Sequence, residues 1–369
     1  MIQWCKSCVL PNTRPNIVID KNGICNACNF HRKIKNKINW SRRENEFKTL
    51  CKNIKKKNKS NYDCIVPVSG GKDSFWQIKK CIEFNLIPLA VTWRTPVRTE
   101  IGDKNLKALI KLGVDHIEWQ INPVHEKEML YKFFCKYGST AILMHNAIHS
   151  IPLKIANKFG IKYIFWGENS AEEYGFLNKK NLGKKMSKSW IKEYGNIFPN
   201  NKLFEKKDLK KNLSYNSFNK KNNSKSIFMG YFFNWDPKIT YKSAKKSGFK
   251  SLISGPKTGI YNFADIDDDF ISIHHWLKWY KFGFTRIFDN LSIEIRNRRM
   301  TRERAIKIIS KNNPNPPIND IKKFCKYINI SKKEFFNIVE KFRNKKIWKK
   351  SKSSWYIKNF IIKNYHWQK

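Results

Sequence analysis

Residues 69–74, Ser-Gly-Gly-Lys-Asp-Ser, put two glycines, a lysine and two hydroxyls into one short loop. Glycine lets a backbone approach a ligand closely, and free N–H groups ahead of a helix attract anions. Lys72 adds a positive charge, and Ser69 and Ser74 add hydroxyl donors. Such a loop suits a polyphosphate. Its spacing is not the common G-x-x-x-x-G-K-[ST] pattern. A second reactive group stands at the front of the chain, where Cys5-Lys6-Ser7-Cys8 and Cys25-Asn26-Ala27-Cys28 are sixteen residues apart. Two C-x-x-C knuckles supply four thiolates, the donor set of a closed tetrahedral Zn²⁺ site. Four protein ligands leave no open position, so the expected metal is structural. A redox dithiol needs one pair only, and an iron–sulfur cluster is the other use of four cysteines. Cys51, Cys64, Cys81, Cys135 and Cys325 form no such pair and read as small core residues.

The loop needs a strand before it and a helix after it. Residues 62–68 are short, β-branched and apolar, and Phe75, Ile78, Ile82 and Leu86 keep helical spacing from a start near Asp73. The alternation continues to about residue 167, with strands expected at 62–68, 87–93, 114–119 and 161–166. Helices are expected at 73–84, 102–112, 124–137 and 140–159. This pattern predicts an α/β fold with a doubly wound parallel sheet and a ligand at the C-terminal ends of the strands. After the strand ending at Trp166 comes an acidic loop containing Glu168, Asn169, Glu172 and Glu173. These residues either meet magnesium or substrate or simply make an acidic helix start.

The remainder divides by composition into 1–32 (cysteine knuckles), 33–60 (a Lys/Asn-rich linker helix), 61–177 (the loop-bearing domain), 178–229 and 230–369. Residues 178–229 read as an insertion anchored by Trp190, Ile191, Tyr194, Phe198, Leu203 and Phe204, loose near 211–226. An aromatic strand or loop follows at 230–237, then a short helix at 238–247. From residue 265 the chain reads as helical, with Ile266, Phe270, Ile273, Leu277, Tyr280 and Phe284 on one buried stripe. Asp265, Asp267, Asp268 and Asp269 crowd its start, and His274 and His275 read as structural. Five arginines between 296 and 305 precede a helix that Thr301 can cap, and make either a solvated face or a phosphate clamp.

The chain has 369 residues, 41% of them hydrophobic and 14% aromatic, enough for a large globular core. No apolar run is long enough for a membrane span, and the start lacks a signal-peptide pattern. A cytoplasmic protein with reduced or metal-bound cysteines is therefore expected. The formal net charge is +45, but the lysines are scattered among Asn and Ile, as an AT-rich coding bias produces. Nucleic acid is therefore not the expected partner. A basic surface still suits ATP and nucleotide-linked substrates.

The motif Ser69–Ser74 resembles the SGGxDS signature of the PP-loop ATP pyrophosphatases, which grip the pyrophosphate of ATP and attach AMP to a carbonyl oxygen. Together with the knuckles, "WGEN…EYG", "WDP" and "KFGFTRIFD…IRN", the chain resembles the N-acetyl sugar amidotransferase family over nearly its whole length. The loosest match is 200–226, and Ile287 stands where a small residue is expected. The resemblance implies a PP-loop sheet of the adenine nucleotide alpha hydrolase kind, with a zinc-ribbon-like module and a helical C-terminal region. It implies conversion of an acetamido group to an acetamidino group on a nucleotide-linked sugar, for surface polysaccharide or LPS O-antigen synthesis. ATP and Mg²⁺ take part, and ammonia comes from a separate glutaminase working with a cyclase-like subunit. ATP would be held by Ser69, Gly70, Gly71, Lys72, Asp73 and Ser74, with Thr92 and Gly167 at neighbouring strand ends. Asp73 is the first candidate for Mg²⁺, and Lys72, Asp73, Glu168 and Asn169 would face the chemistry. Glu172, Tyr174, Lys281, Arg286, Arg296 and Arg299 would bind the sugar and its phosphates. The alternative is a tRNA-modifying PP-loop enzyme of the thiolase kind, which needs cysteines near the loop. Trp348, Trp355, Tyr356 and Phe360 make either a partner contact or a local core.

Overall fold

The computed structural model describes residues 2–195 and 224–367, Ser353 and Asn364 excepted. Two helices precede the sheet: α1 (Asn26–Lys33), which starts at the second knuckle, and α2 (Trp40–Lys57). The apolar runs then form β1 (Cys64–Pro67), β2 (Pro88–Trp93), β3 (His116–Trp119) and β4 (Tyr163–Trp166). Between them lie α3 (Lys72–Glu83), α4 (Glu100–Ile110), α5 (Pro123–Tyr137) and α6 (Ile142–Phe159). After β4 come α7 (Ser170–Tyr174), α8 (Lys188–Tyr194) and a fifth strand, β5 (Lys225–Phe228). The sheet order is β3-β2-β1-β4-β5 and every pairing is parallel. The doubly wound sheet expected from the alternation is present. The order in which strands are added reverses between β1 and β4, and a crevice opens at such a switch point.

Three expectations change. Residues 33–60 are not a mere linker: Phe47, Cys51 and Ile54 of α2 are buried against the sheet. The Phe47 ring lies within 5.0–5.5 Å of the rings of Phe84, Phe165, Phe232 and Phe233. With α3 and α4 this helix covers one face, and α6 covers the other. The end of the supposed loose stretch is β5, because Ile227 and Phe228 fill the sheet edge beside β4. Residues 211–223, Phe198, Leu203 and Phe204 lie outside the described residues.

The C-terminal half supplies α9 (Pro237–Lys245), α10 (Phe270–Phe282), α11 (Arg286–Arg296), α12 (Arg302–Lys311), α13 (Ile318–Ile328) and α14 (Lys332–Lys341). The helix expected from residue 265 starts five residues later, because Asp265 has φ 57° and breaks the run. Thr301 caps α12 as expected, accepting the Arg304 N–H. A small antiparallel sheet, β6 (Trp348–Lys350), β7 (Trp355–Ile357) and β8 (His366–Trp367), closes the chain. Trp348 and Phe360 are buried there, and the Arg343 guanidinium lies 4.2 Å from the Trp355 ring centre and 5.3 Å from that of Trp348. These aromatics form a local core. As a partner patch they are mostly spent. Among the described residues no helix is long and apolar enough to cross a membrane.

The four knuckle cysteines are buried and their sulfurs all lie within 4.8 Å of one another. Ligands at about 2.3 Å around a tetrahedral Zn²⁺ stand about 3.8 Å apart, and Cys8 and Cys25 Sγ are separated by 3.7 Å. Backbone N–H groups of Cys8 and Cys25 point at Cys5 Sγ (3.4 and 3.2 Å), as at a thiolate. The residues fit zinc. The module is tied to the C-terminal helices. Trp4 stacks on Phe288, Arg14 Nε donates to Asp289 Oδ1 (2.6 Å), and Arg302 Nε donates to the Cys5 and Cys8 carbonyls. We expect about one equivalent of zinc per chain, and Cys25→Ser to lose it and lower the melting temperature by about 5 °C or more. Metal analysis returning iron, or a melting curve indifferent to Cys25→Ser, would overturn this.

Candidate active site

β1 delivers the chain to the loop, and α3 starts immediately after Gly71, which caps it with no side-chain hydrogen bond. Backbone N–H groups at such a start are free for an anion. Gly70 has φ 88°, and a Cβ there would stand 2.8 Å from the Leu106 backbone nitrogen and 3.0 Å from the Gly102 carbonyl oxygen. Only glycine lets the loop lie this close to α4. The loop braces itself: Ser69 N–H donates to Ser74 Oγ (3.1 Å), and Gly71 N–H donates to Ser69 Oγ (3.3 Å). Lys72 Nζ pairs with one oxygen of Asp73, and the Trp235 indole N–H donates to the other (3.0 Å). The Lys72 ammonium also sits 5.5 Å from the centre of the Trp235 ring. Thr92, buried at the end of β2, donates to the Val68 carbonyl (2.8 Å). Gly167 packs beside Asp73, where a Cβ would stand 3.9 Å from that of Asp73.

Glu168 follows β4 and lines a cavity of about 610 Å³. Burial and the nearby Asp73 charge push its carboxyl up to about 7, against the opposing pull of Lys72. The opposite wall is α10, which contributes His274, His275, Lys278 and Lys281; Arg14, Tyr174 and Arg286 complete the polar lining used below. Lys278 Nζ donates to His275 Nδ1 (3.0 Å), and His275 Nε2 lies 3.3 Å from Asp265 Oδ2. Arg286 Nε donates to the same Asp265 oxygen at 3.3 Å. Burial lowers His275 to about 4 and Lys278 to about 8, with Asp289 holding Lys278 up. Burial alone lowers Lys281 to about 8. The histidines are therefore neutral at neutral pH, whereas the Arg286 guanidinium stays charged beside Asp265. The lining sets four cationic side chains, Arg14, Lys278, Lys281 and Arg286, against the carboxylates of Asp265 and Glu193, with the raised Glu168 carboxyl at the loop end.

The structure brings together Glu168, Tyr174, Lys281 and Arg286 of the residues expected from sequence. The Tyr174 ring lies 5.1 Å from the Arg14 guanidinium and 5.8 Å from that of Arg286. Others are placed differently. Asn169 is buried with both side-chain atoms used, its amide donating to the Asn181 and Gly183 carbonyls and its oxygen accepting from Ala171 N–H and the Trp190 indole. It positions the Glu168 loop and has no atom left for the reaction. Glu172 accepts the Gly183 N–H (2.9 Å) and does not line the cavity; burial raises it to about 7. Arg296 donates to the Glu173 carbonyl (2.6 Å) beside the cysteine cluster, and Arg299 is held by Asp236 and Glu294. Neither arginine reaches the cavity, because each neutralises a buried partner elsewhere.

Several residues that shape the site escaped the sequence reading: Arg14, Trp235, Asp265, Asp267, His275 and Lys278. Ser69 hydrogen-bonds the Asp267 carboxylate, which burial raises. Asp73 and Asp267 are thus two carboxylates in contact with the loop, the donor type that Mg²⁺ takes beside phosphates. Cys51, Cys64 and Cys81 are buried on the α2–α3 face of the sheet, and no cysteine lines the cavity among the described residues.

Residues 257–361 match the family described as LPS biosynthesis protein WbpG-like, C-terminal domain. A search of curated proteins finds no match. Similar solved structures include NMN synthetase from Francisella tularensis, 14% identical over 37% of this chain and 58% of that one, TM-score 0.28. Another is the NH3-dependent NAD synthetase from Campylobacter jejuni subsp. jejuni in complex with the nitrate ion, 14% identical over 38% of this chain and 62% of that one, TM-score 0.31. The chain spans less than two thirds of either structure. The matched segment contains α10 and the start of α11, the cationic wall of the cavity. Residues 257–361 are thus similar to the C-terminal domain of the WbpG-like LPS-biosynthesis proteins, and in this chain they follow a five-stranded parallel sheet whose first strand leads into the Ser69–Ser74 loop.

Proposed function

We propose that this chain is an ATP-dependent, AMP-forming amidotransferase that converts the acetamido group of a nucleotide-linked bacterial sugar to an acetamidino group, for LPS O-antigen synthesis. The observation that carries the reading is Glu168, whose carboxyl stands between the Lys72–Asp73 loop end and a cationic cavity large enough for a sugar phosphate. The WbpG-like match over the cavity wall supports the same pathway. An amide resists ammonia because its oxygen leaves poorly. The amide oxygen would attack the α-phosphorus of ATP, pyrophosphate would leave, and an O-adenylated imidate would remain. Ammonia then adds to the imidate carbon, Glu168 takes the proton that the nitrogen loses, and AMP departs to leave the amidine.

In this scheme the loop backbone, Ser69, Ser74 and Lys72 hold the leaving pyrophosphate. Mg²⁺ on Asp73 and Asp267 would neutralise phosphate charge. Lys281, Arg286 and the Lys278–His275 pair would hold the sugar and its phosphates, and the bound substrates would have to exclude water that could hydrolyse the adenylate. Ammonia is expected from a glutaminase partner working with a cyclase-like subunit. The setting would be cytoplasmic, where ATP and nucleotide sugars occur. The cavity's lack of cysteine weighs against sulfur transfer to tRNA.

The test is AMP and pyrophosphate release from ATP, dependent on a nucleotide-linked N-acetyl sugar, with a product lighter than its substrate by the O-to-NH exchange. Lys72→Ala and Asp73→Ala should fold normally and lose about 10²-fold or more of this turnover. Wild-type rates in both variants would remove the loop from the chemistry. Because Glu168 titrates near 7, it is protonated below that pH and cannot accept a proton. At fixed free-ammonia concentration, kcat/KM should therefore rise between pH 6 and 8 and then level; Glu168→Gln should abolish the rise and cost about 10²-fold. A flat profile in the wild type would exclude Glu168 as the base. Finally, the isolated chain should be inactive with glutamine, active with ammonium salt at raised pH, and active with glutamine once the glutaminase partner is added. Label from amide-¹⁵N glutamine reaching the product without a partner would contradict this.

A further inference from the structure

Behind the cationic wall lies a second cavity of about 250 Å³, between α10, α11 and the 312–317 turn. It shares two residues with the large cavity, His275 and Arg286, which line both. None of the loop residues 69–74 borders it, so it is not part of the ATP cradle. Its inner walls are aromatic, with Trp276, Trp279 and Phe288. Its mouth carries the amides of Asn312, Asn313 and Asn315, all exposed. Aromatic walls with exposed amides at the rim fit a nucleobase, which stacks by its face and hydrogen-bonds by its edge.

Two further observations point to a ligand bearing phosphate. Thr285 caps α11 without a side-chain hydrogen bond, so the start of this 11-residue helix is open where it borders the cavity. Trp279, 1% exposed, lines the cavity, and its indole N–H has no partner among the described residues. Arg286 then stands between the two cavities as a fixed cation.

We infer that this second cavity holds the nucleoside diphosphate carrier of the sugar, with the diphosphate passing Arg286 and the start of α11 so that the sugar enters the reacting cavity. The inference rests on the amidotransferase reading for the sugar, but the carrier site is testable by binding alone. The base seats among the asparagines and tryptophans, 69–74 keeps ATP at the far end of the large cavity, and the two nucleotides bind together. One chain therefore carries two nucleotide sites of different construction: a backbone loop for ATP, and an aromatic pocket for the carrier.

The experiment is calorimetric titration of the full chain with UDP, CDP, GDP and ADP, its loop first saturated with a non-hydrolysable ATP analogue. At least one of the four should bind to the saturated protein. The double variant Asn313→Glu, Asn315→Glu puts two negative charges at the mouth on exposed positions, and should weaken that binding about tenfold or more while leaving the ATP analogue's affinity unchanged. Lys72→Ala should do the reverse. Displacement of all four nucleotides by the ATP analogue, or unchanged affinity in the double variant, would overturn the assignment. So would a double variant that binds nucleotide normally but loses turnover with ammonia, which would make the cavity an ammonia path. Nucleoside diphosphate binding as expected, without amidine formation from any nucleotide sugar, would leave this site standing and remove the proposed reaction.

Discussion

A Cβ on Gly102 would stand 2.7 Å from Asp267 Cα, so α4 accepts the 265–269 segment only because that position is glycine. The contact is then locked. Thr99 N–H donates to the Asp267 carbonyl at 3.2 Å, the Thr99 hydroxyl donates to the Ile266 carbonyl, and Thr95 holds Asp268. Everything on the far side of the cavity follows from this seam. Asp268 caps α10 by accepting the Phe270 and Ile271 N–H groups, so the helix that carries His275, Lys278 and Lys281 starts from a point fixed against the loop-bearing sheet. Asp265, turned into the left-handed region three residues before Asp268, faces His275 and Arg286. The same five residues give the loop its second carboxylate and the cavity its charge order.

Charge inside the site is arranged pair by pair, and the +45 of the whole chain has little part in it. A buried charge is tolerated when a counter-charge is close. Asp289, fully buried, serves Arg14 at 2.6 Å, Arg286 at 3.8 Å and Lys278 at 4.0 Å. Asp265 takes a share of Arg286 at 3.3 Å, so Arg14, Arg286 and Lys278 face two carboxylates and the cluster keeps a small positive excess beside the cavity. The neutral histidines fit the same logic: burial first, and then the cations around them, make a proton on His145, His274 or His275 costly.

The strands and loop were legible because their signals are local. Ile65-Val66 and Leu89-Ala90-Val91 are apolar runs with turns beside them, and the glycines of the loop announce their own geometry. β5 was not legible, since four residues ending a lysine- and asparagine-rich stretch carry no period. In α2 the lysines on three sides concealed Phe47, Cys51 and Ile54, which repeat by four and three on the fourth. The site divides the same way. Glu168 follows directly from a strand end, so its place could be read. His275 and Lys278 look like any polar residues on a helix with a buried stripe, and only the seam at Gly102 shows that their face meets the loop-bearing domain across a cavity. Arg296 and Arg299 misled because charge in a sequence does not reveal its partner; Glu173, Asp236 and Glu294 had already claimed them.

The cysteine cluster enters this arrangement through Arg14. That residue lies on the stretch between the knuckles, where Thr13 donates to the Phe282 carbonyl (2.6 Å) and Arg14 reaches both Asp289 and the Tyr174 carbonyl. A cavity-lining guanidinium is thus held by the segment between the two cysteine pairs, whose Val9, Leu10 and Ile17 are buried in the same core cluster as the cysteines. Arg302, gripping the carbonyls of Cys5 and Cys8, ties the same module to α12. A metal held by all four thiolates would have no open position for chemistry; its role would be structural, fixing the segment that carries Arg14 to Asp289 and the cavity wall.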